Sequence, residues 1–174
     1  MKYAVITISD SASLGTNKDL SGPKIIEFMG SHNKDLIGIN MGSHNILCSH
    51  NIVPDDVSSI VKLLNDLCDN SELELILTTG GTGIGPRDVT PEATKQVIDY
   101  EIPGIPEIMR VKNYSKSSYV ALSRALAGVS NNKLIINLPG SPKAVQENLE
   151  IIYPLIKHAL ELINGNTYHE GNKR

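Results

Sequence analysis

The sequence has no tryptophan, one phenylalanine and six tyrosines in 174 residues. Aromatic stacking therefore cannot carry its interior. Hydrophobic residues still make up 40%, so the core must be aliphatic, built from the Ile, Leu and Val runs. A chain of this size hides about two-thirds of its unfolded surface and fits one domain better than two. Cysteine is almost missing: Cys48 and Cys68 form no CxxC pattern, and two isolated cysteines fit free, buried thiols in a reducing cytoplasm. An excess of positive charge is missing too. Sixteen basic against 19 acidic residues leave a net charge of −3, which argues against a nucleic-acid binder while leaving room for a local positive site that takes a small anion. No apolar run approaches the roughly 18 residues of a membrane span. The chain starts straight into a strand-like stretch, so no signal peptide is expected.

What is present alternates between strand-like and helix-like segments. Lys2 to Ser9 (KYAVITIS) is β-rich and apolar, the profile of a strand covered on both faces. Asp10 to Gly22 is polar and reads as a loop, and Ser21-Gly22-Pro23 opens a helix with Ile25, Ile26 and Met29 as its stripe. Ile46 to Val53 predicts a second strand, and Pro54-Asp55-Asp56 starts a helix carrying Val57, Ile60, Val61, Leu64 and Leu67. Glu74 to Thr78 predicts a third strand, followed by a glycine loop and a helix from Pro91 with Thr90 as its N-cap. Ile105 to Val111 predicts a short helix, and Leu126 to Asn137 a hairpin turning at Asn131-Asn132. Ser141 caps a long last helix, Pro142 to Ile163, with Val145, Leu149, Ile152, Leu155, Ile156 and Leu160 facing inward. The expected architecture is α/β: three layers, helix–sheet–helix, around a mostly parallel sheet with a small hairpin. Residues 1–164 form the domain, and Gly165 to Arg174 a frayed polar tail. Met29-Gly30-Ser31-His32-Asn33 recurs as Met41-Gly42-Ser43-His44-Asn45. With His50 nearby a histidine metal site is conceivable, but a lengthened surface connection is the better reading.

On such sheets ligands bind where strand ends enter helix N-termini. Three loops qualify: those after Ser9, Thr78 and Leu138. The middle one, TTGGTGIGPRDVTPEAT from Thr78 to Thr94, carries the chemistry. Gly80, Gly81, Thr82 and Gly83 offer backbone N–H groups without side-chain cover, which is the making of an anion nest. Arg87 can pair with phosphate oxygens. Asp88 would repel such a ligand unless a cation lay between, and Mg²⁺ is the usual bridge, held by one or two carboxylates and substrate phosphates; Asp55 is a plausible second carboxylate. The spacing matches neither a Walker loop nor a dinucleotide fingerprint. Each feature has a plain structural alternative: GGTG as a turn, Ser141 as an ordinary N-cap beside Pro139 and Gly140, Ser9-Asp10 as a loop cap, Arg124 as a solvated charge.

The same residues carry a resemblance. The central run, with EIPGIPEIM (Glu101 to Met109), LSRALAG (Leu122 to Gly128), INLPGSPKAVQENL (Ile136 to Leu149) and the N-terminal ITISDSASLG, resembles the molybdopterin-binding family over nearly the whole chain. Within it the chain is most similar to the molybdopterin adenylyltransferase branch, which includes the bacterial enzyme and the G domain of gephyrin. The resemblance implies transfer of AMP from Mg·ATP to the terminal phosphate of molybdopterin with release of pyrophosphate. It implies Asp88 as the essential acidic residue, acting through Mg²⁺, with Asp55 contributing. Binding positions would be Gly80, Gly81, Thr82, Gly83 and Arg87 for phosphate, Ser123 and Arg124 on the pterin side, Asn137, Pro139, Gly140 and Ser141 on the second wall, and Ser9 and Asp10 at the first strand's edge. It also implies a homotrimer and hand-over of product to a molybdenum-insertion enzyme. A catalytically silent pterin-binding member and an oligomeric scaffold stand as alternatives.

Overall fold

The structure, a computed structural model, describes residues 1–32 and 44–166. Residues 33–43, which hold Asn33 of the first Met-Gly-Ser-His-Asn copy and Met41, Gly42 and Ser43 of the second, and 167–174 of the expected tail lie outside them. The first strand, β1 (Lys2–Ile8), sends Tyr3 and Val5 to one face and Ala4, Ile6 and Ile8 to the other, all buried. The strands β2 (Ile46–Val53), β3 (Leu75–Thr79) and β6 (Lys133–Leu138) run parallel to it. β5 (Ala127–Ser130) returns antiparallel to β6, and a two-residue strand β4 (Tyr100–Glu101) completes the edge. The order is β2-β1-β3-β6-β5-β4 in a single six-stranded sheet. Asn131 and Asn132 both take positive φ, 46° and 62°, as a tight hairpin turn requires of its two central residues.

Helices cover both faces. On one side α2 (Ser21–Ser31), α5 (Gly104–Asn113) and α6 (Pro142–Ile163) pack on Tyr3, Val5, Leu75, Leu77, Leu134 and Ile136. On the other, α3 (Val57–Cys68) and α4 (Thr90–Lys95) pack on Ala4, Ile6, Ile76 and Ile135. The expected three-layer α/β/α architecture is therefore the observed one. No helix among the described residues is long and apolar enough to cross a membrane.

The structure corrects several local expectations. The polar stretch after β1 is not all loop: Ser9 caps a short helix, α1 (Asp10–Ser13), by accepting from the Ala12 N–H at 3.2 Å. The Pro54-Asp55-Asp56 start of α3 is as expected, with Asp56 as its N-cap. Thr90 does not cap α4; it is the first residue of that helix, and its hydroxyl donates to the Gly80 carbonyl at 2.8 Å instead. Leu155 faces solvent, 45% exposed, because Val145, Leu149, Ile152, Ile156 and Leu160 already fill the helical stripe and position 155 falls beside it. Cys68 is buried as expected, but Cys48 is exposed, since β2 is the sheet's edge. The start of the expected tail is ordered: Gly165 (φ 80°) donates to the Leu162 carbonyl and Asn166 to the Glu161 carbonyl, the paired bonds that close a helix C-terminus.

Candidate active site

The chain places β2 on one side of β1 and then crosses to place β3 on the other. That reversal opens a crevice at the carboxyl ends of β1 and β3, where open α/β sheets bind ligands. Three loops meet there, after Ile8, Thr79 and Leu138. Gly80 donates to the Leu138 carbonyl at 3.2 Å, and the Thr79 hydroxyl to the Pro139 carbonyl at 2.7 Å. Gly80 takes φ 100°, and a Cβ there would run into the Ile8 carbonyl oxygen. Only glycine permits this junction. Gly140 lies against Gly80 from the third loop.

The glycine loop holds its own carbonyls inward. Thr90 bonds those of Gly80 and Gly81 through its hydroxyl and its N–H. The Arg124 N–H bonds Thr82 O at 2.9 Å, Arg124 Nε bonds Gly83 O at 2.6 Å, and Nη2 bonds Asp88 O at 2.5 Å. The N–H groups of Gly81, Thr82 and Gly83 donate to nothing among the described residues. A run of tethered carbonyls and free N–H groups is the electrostatic inverse of an ordinary turn, and it favours an anion.

Carboxylates ring this nest. Asp10 and Asp55 exchange bonds: the Asp10 N–H donates to Asp55 Oδ2 at 2.8 Å, and the Asp55 N–H to Asp10 Oδ1 at 3.0 Å. Arg87 grips Asp10 with Nε at 3.0 Å and Nη2 at 2.9 Å. Its guanidinium holds the Asp10 carboxyl below the ordinary range. Asp55 moves the other way: burial pushes it up, and the charges of Asp10 and Asp88 add to that. Asp88 Oδ2 accepts from the Gly85 N–H at 2.7 Å, leaving Oδ1 without a protein partner among the described residues. Asp55 Oδ1 lies beside Gly81 in the same way. Two carboxylates, each with a spare oxygen beside an anion nest, fit Mg²⁺, which takes one or two carboxylates and completes its shell with phosphate and water. No group of three or more His, Cys, Asp or Glu among the described residues could hold a metal through protein ligands alone. His50 instead meets Asp19 at 3.1 Å and Thr7 at 3.2 Å.

Two cavities flank the junction. The larger, of about 410 Å³, is bounded by Thr82, Gly83, Ser123, Pro139 and Ser141. The smaller, of about 290 Å³, is bounded by Ser9, Gly80 and Gly140. Asp55, Arg87 and Asp88 line neither. Asn137 sits apart from both. It is fully buried, donating to the Thr78 and Thr94 hydroxyls at 2.9 Å and accepting from the Leu126 N–H, so it ties β3, α4 and β6 together beneath the loops. Ser9 and Ser141 serve as N-caps while also bordering the cavities. Arg124 is no solvated charge, since it is spent on the loop carbonyls and paired with Glu92.

Sequence reasoning missed three cations of the larger cavity, Arg110, Lys116 and Lys143. Lys143 adjoins the third loop in sequence and was open to notice. Arg110 and Lys116 arrive from the end of α5 and the turn after it, and no local pattern marks them. Asp19 was also missed. Its carboxylate, one residue ahead of the N-cap Leu20, accepts from the Ser21 and Gly22 N–H groups at 3.0 Å and so satisfies the first donors of α2.

Residues 4–158 match the family described as a probable molybdopterin binding domain. The chain belongs to this family. It is 39% identical over 170 residues to a molybdopterin adenylyltransferase of Helicobacter pylori J99, covering 98% of this chain and 91% of that one. It is 42% identical over 163 residues to the molybdenum cofactor synthesis protein cinnamon of Drosophila melanogaster, matching 92% of this chain but spanning only 25% of that longer protein. Among solved structures, the molybdopterin biosynthesis enzyme MoaB of Thermus thermophilus superposes with a TM-score of 0.82 at 40% identity, over 94% of this chain and 96% of that one. The tungsten cofactor synthesizing MoaB of Pyrococcus furiosus does so at 0.79 and 35%, over 93% and 96%. The resemblance read from the loop motifs is thus the family itself.

Proposed function

We propose that this member of the molybdopterin-binding family is a molybdopterin adenylyltransferase of molybdenum cofactor biosynthesis. The observation that carries the reading is the loop Gly80–Gly83, with its carbonyls tied back and the N–H groups of Gly81, Thr82 and Gly83 free beside Asp88 and Asp55. A phosphate oxygen of molybdopterin attacks the α-phosphorus of ATP. The new P–O bond forms as the bond to the β-phosphate bridge breaks, and pyrophosphate leaves with the electron pair. Such a transfer asks the protein mainly for positioning and charge neutralisation. The free N–H groups of Gly81, Thr82 and Gly83 hold phosphate oxygens. Arg110 and Lys143, with Lys116 paired to Glu147 on the same wall, leave the larger cavity a net positive charge suited to the pterin phosphate, and the smaller cavity across Gly80 and Gly140 takes the nucleotide. Mg²⁺, held by Asp88 and Asp55, would neutralise the phosphates at the transfer point. Arg87 closes the first loop over Asp10 and is available to phosphate only if that pair opens.

Molybdopterin and Mg·ATP supplied together to the protein give adenylylated pterin and pyrophosphate on this reading. No adenylylated product would sink it, and tight pterin binding without ATP turnover would identify a catalytically silent relative. A homotrimer, a cytoplasmic location consistent with two free thiols, and hand-over of the product to a molybdenum-insertion enzyme belong to the same proposal. Light scattering tests the first.

A further inference from the structure

The larger cavity and its cations, the carboxylate ring and the nucleotide-side cavity all belong to the site already described. Arg124 does not behave as any of them. The geometry points to Arg124 as a positioning residue: it clamps the peptide arc from Gly83 to Asp88 and thereby aims the Asp88 carboxylate, rather than serving as a cation for a substrate phosphate. The inference rests on the adenylyl-transfer reading above.

The arc bulges from the loop into solvent, with Ile84 66% exposed at its crest. Its own ties are short-range: the Asp88 N–H to the Gly85 carbonyl at 3.0 Å, and the Gly85 N–H to Asp88 Oδ2 at 2.7 Å. These fix the carboxylate to the arc, and the Arg87 side chain ties the arc to Asp10 of the first loop, but neither holds its backbone ends. Arg124 supplies the anchor at both ends, through Nε to Gly83 O at 2.6 Å and Nη2 to Asp88 O at 2.5 Å. Its backbone N–H adds Thr82 O at 2.9 Å. The remaining nitrogen, Nη1, meets Glu92 from the first turn of α4. Glu92 thus cancels the charge and sets the plane of the guanidinium. A planar fork spans two carbonyls and a carboxylate at once, which a lysine ammonium cannot do in the same geometry. Each of its three nitrogens meets a protein acceptor and its charge is paired with Glu92, so its main engagement is with the protein rather than a ligand. Its substitution therefore moves the carboxylate rather than removing a binding charge.

The test compares wild type with Arg124→Lys and Glu92→Gln in a steady-state adenylylation assay, with hydrogen exchange read at the Gly85 and Asp88 amides. In Arg124→Lys, kcat falls about 100-fold, the scale that a displacement near 1 Å costs, while the KM for molybdopterin stays within about threefold. The half-saturating Mg²⁺ concentration rises, and exchange quickens at Gly85 and Asp88 but not across the sheet. Glu92→Gln gives a smaller kcat loss with the same unchanged pterin KM, and serves as the variant should Arg124→Lys fold poorly. A loss confined to pterin KM in either variant, wild-type kcat in Arg124→Lys, or unchanged exchange in the arc overturns the proposal. If wild type itself makes no adenylylated pterin, the functional reading falls. The hydrogen-exchange arm then still decides whether Arg124 holds the arc.

Discussion

Asp10, Asp55 and Asp88 stand around one loop, and each has a different environment. Asp10 is paired with Arg87, Asp55 is pushed up by burial, and Asp88 keeps one oxygen unspent. A carboxylate left unpaired beside an anion nest makes chemical sense only if a cation joins them. Asp88→Asn removes the charge and almost no volume, so it is expected to lower turnover by at least about 100-fold while far-UV circular dichroism and Tm stay near wild type. An Asp88→Asn protein that unfolds would make Asp88 structural. The acids also set the response to pH. Asp10 is lowered by its bond from Arg87. Asp19 is lowered because bonds from Thr7, Gly22 and Ser21 outweigh a burial that opposes them. Asp56 is lowered to about 2 by bonds from Ser58 and Ser59. A carboxyl lowered on folding stabilises the native state above its unfolded value, and that stability is lost as pH falls through the folded value. Asp55, raised on folding, works in the opposite sense, losing stability as pH rises through its window. Glu72 and Glu92 are lowered as well, through their bonds from Lys2 and Arg124, so five carboxyls against one predict a native state that weakens steadily from about pH 4 down to about pH 2. Urea midpoints across that range check it, and a midpoint that rose on acidification would contradict it.

At the scale of elements, α6 and the β5–β6 hairpin were legible because each carries a local, complete code. Ser141-Pro142 marks a start and five apolar residues keep one stripe, while a pair of asparagines tolerates positive φ where the hairpin turns. The one misplaced residue of α6 gives a paired test. Ile152→Ala should cost about 2–5 kcal/mol of unfolding free energy by leaving a cavity. Leu155→Ala, on the exposed flank, should stay within about 0.5 kcal/mol. Chemical denaturation of both variants decides, and equal losses would mean that 155 is packed after all. The role of Thr90 was not legible, since its preference for a cap competes with a bond to Gly80, and only the folded loop decides between them. The structural bonds of Asn137 and Arg124 are hidden in the sequence for the same reason. Their sequence neighbourhood is that of the site, but burial and the acceptors they meet come from segments ten to sixty residues away. The motifs marked where the site lies; which side chains face it depended on long-range packing.

At the scale of the molecule, the sheet is a rigid platform that delivers three strand ends to one point. Nothing in that arrangement calls for two bodies to close on each other. The contact between Gly80 and Gly140 gives this a kinetic meaning. The partition between the two cavities is there only peptide thick, so reactants lodged on opposite sides need cross no side chain to meet. On the adenylyl-transfer reading, the expected bottleneck is therefore release of product into solvent. Added sucrose should slow saturated turnover roughly in proportion to microscopic viscosity, whereas a polymeric thickener such as Ficoll, which leaves small-molecule diffusion nearly free, should not. A rate indifferent to both would mean that the bottleneck lies at the phosphorus itself.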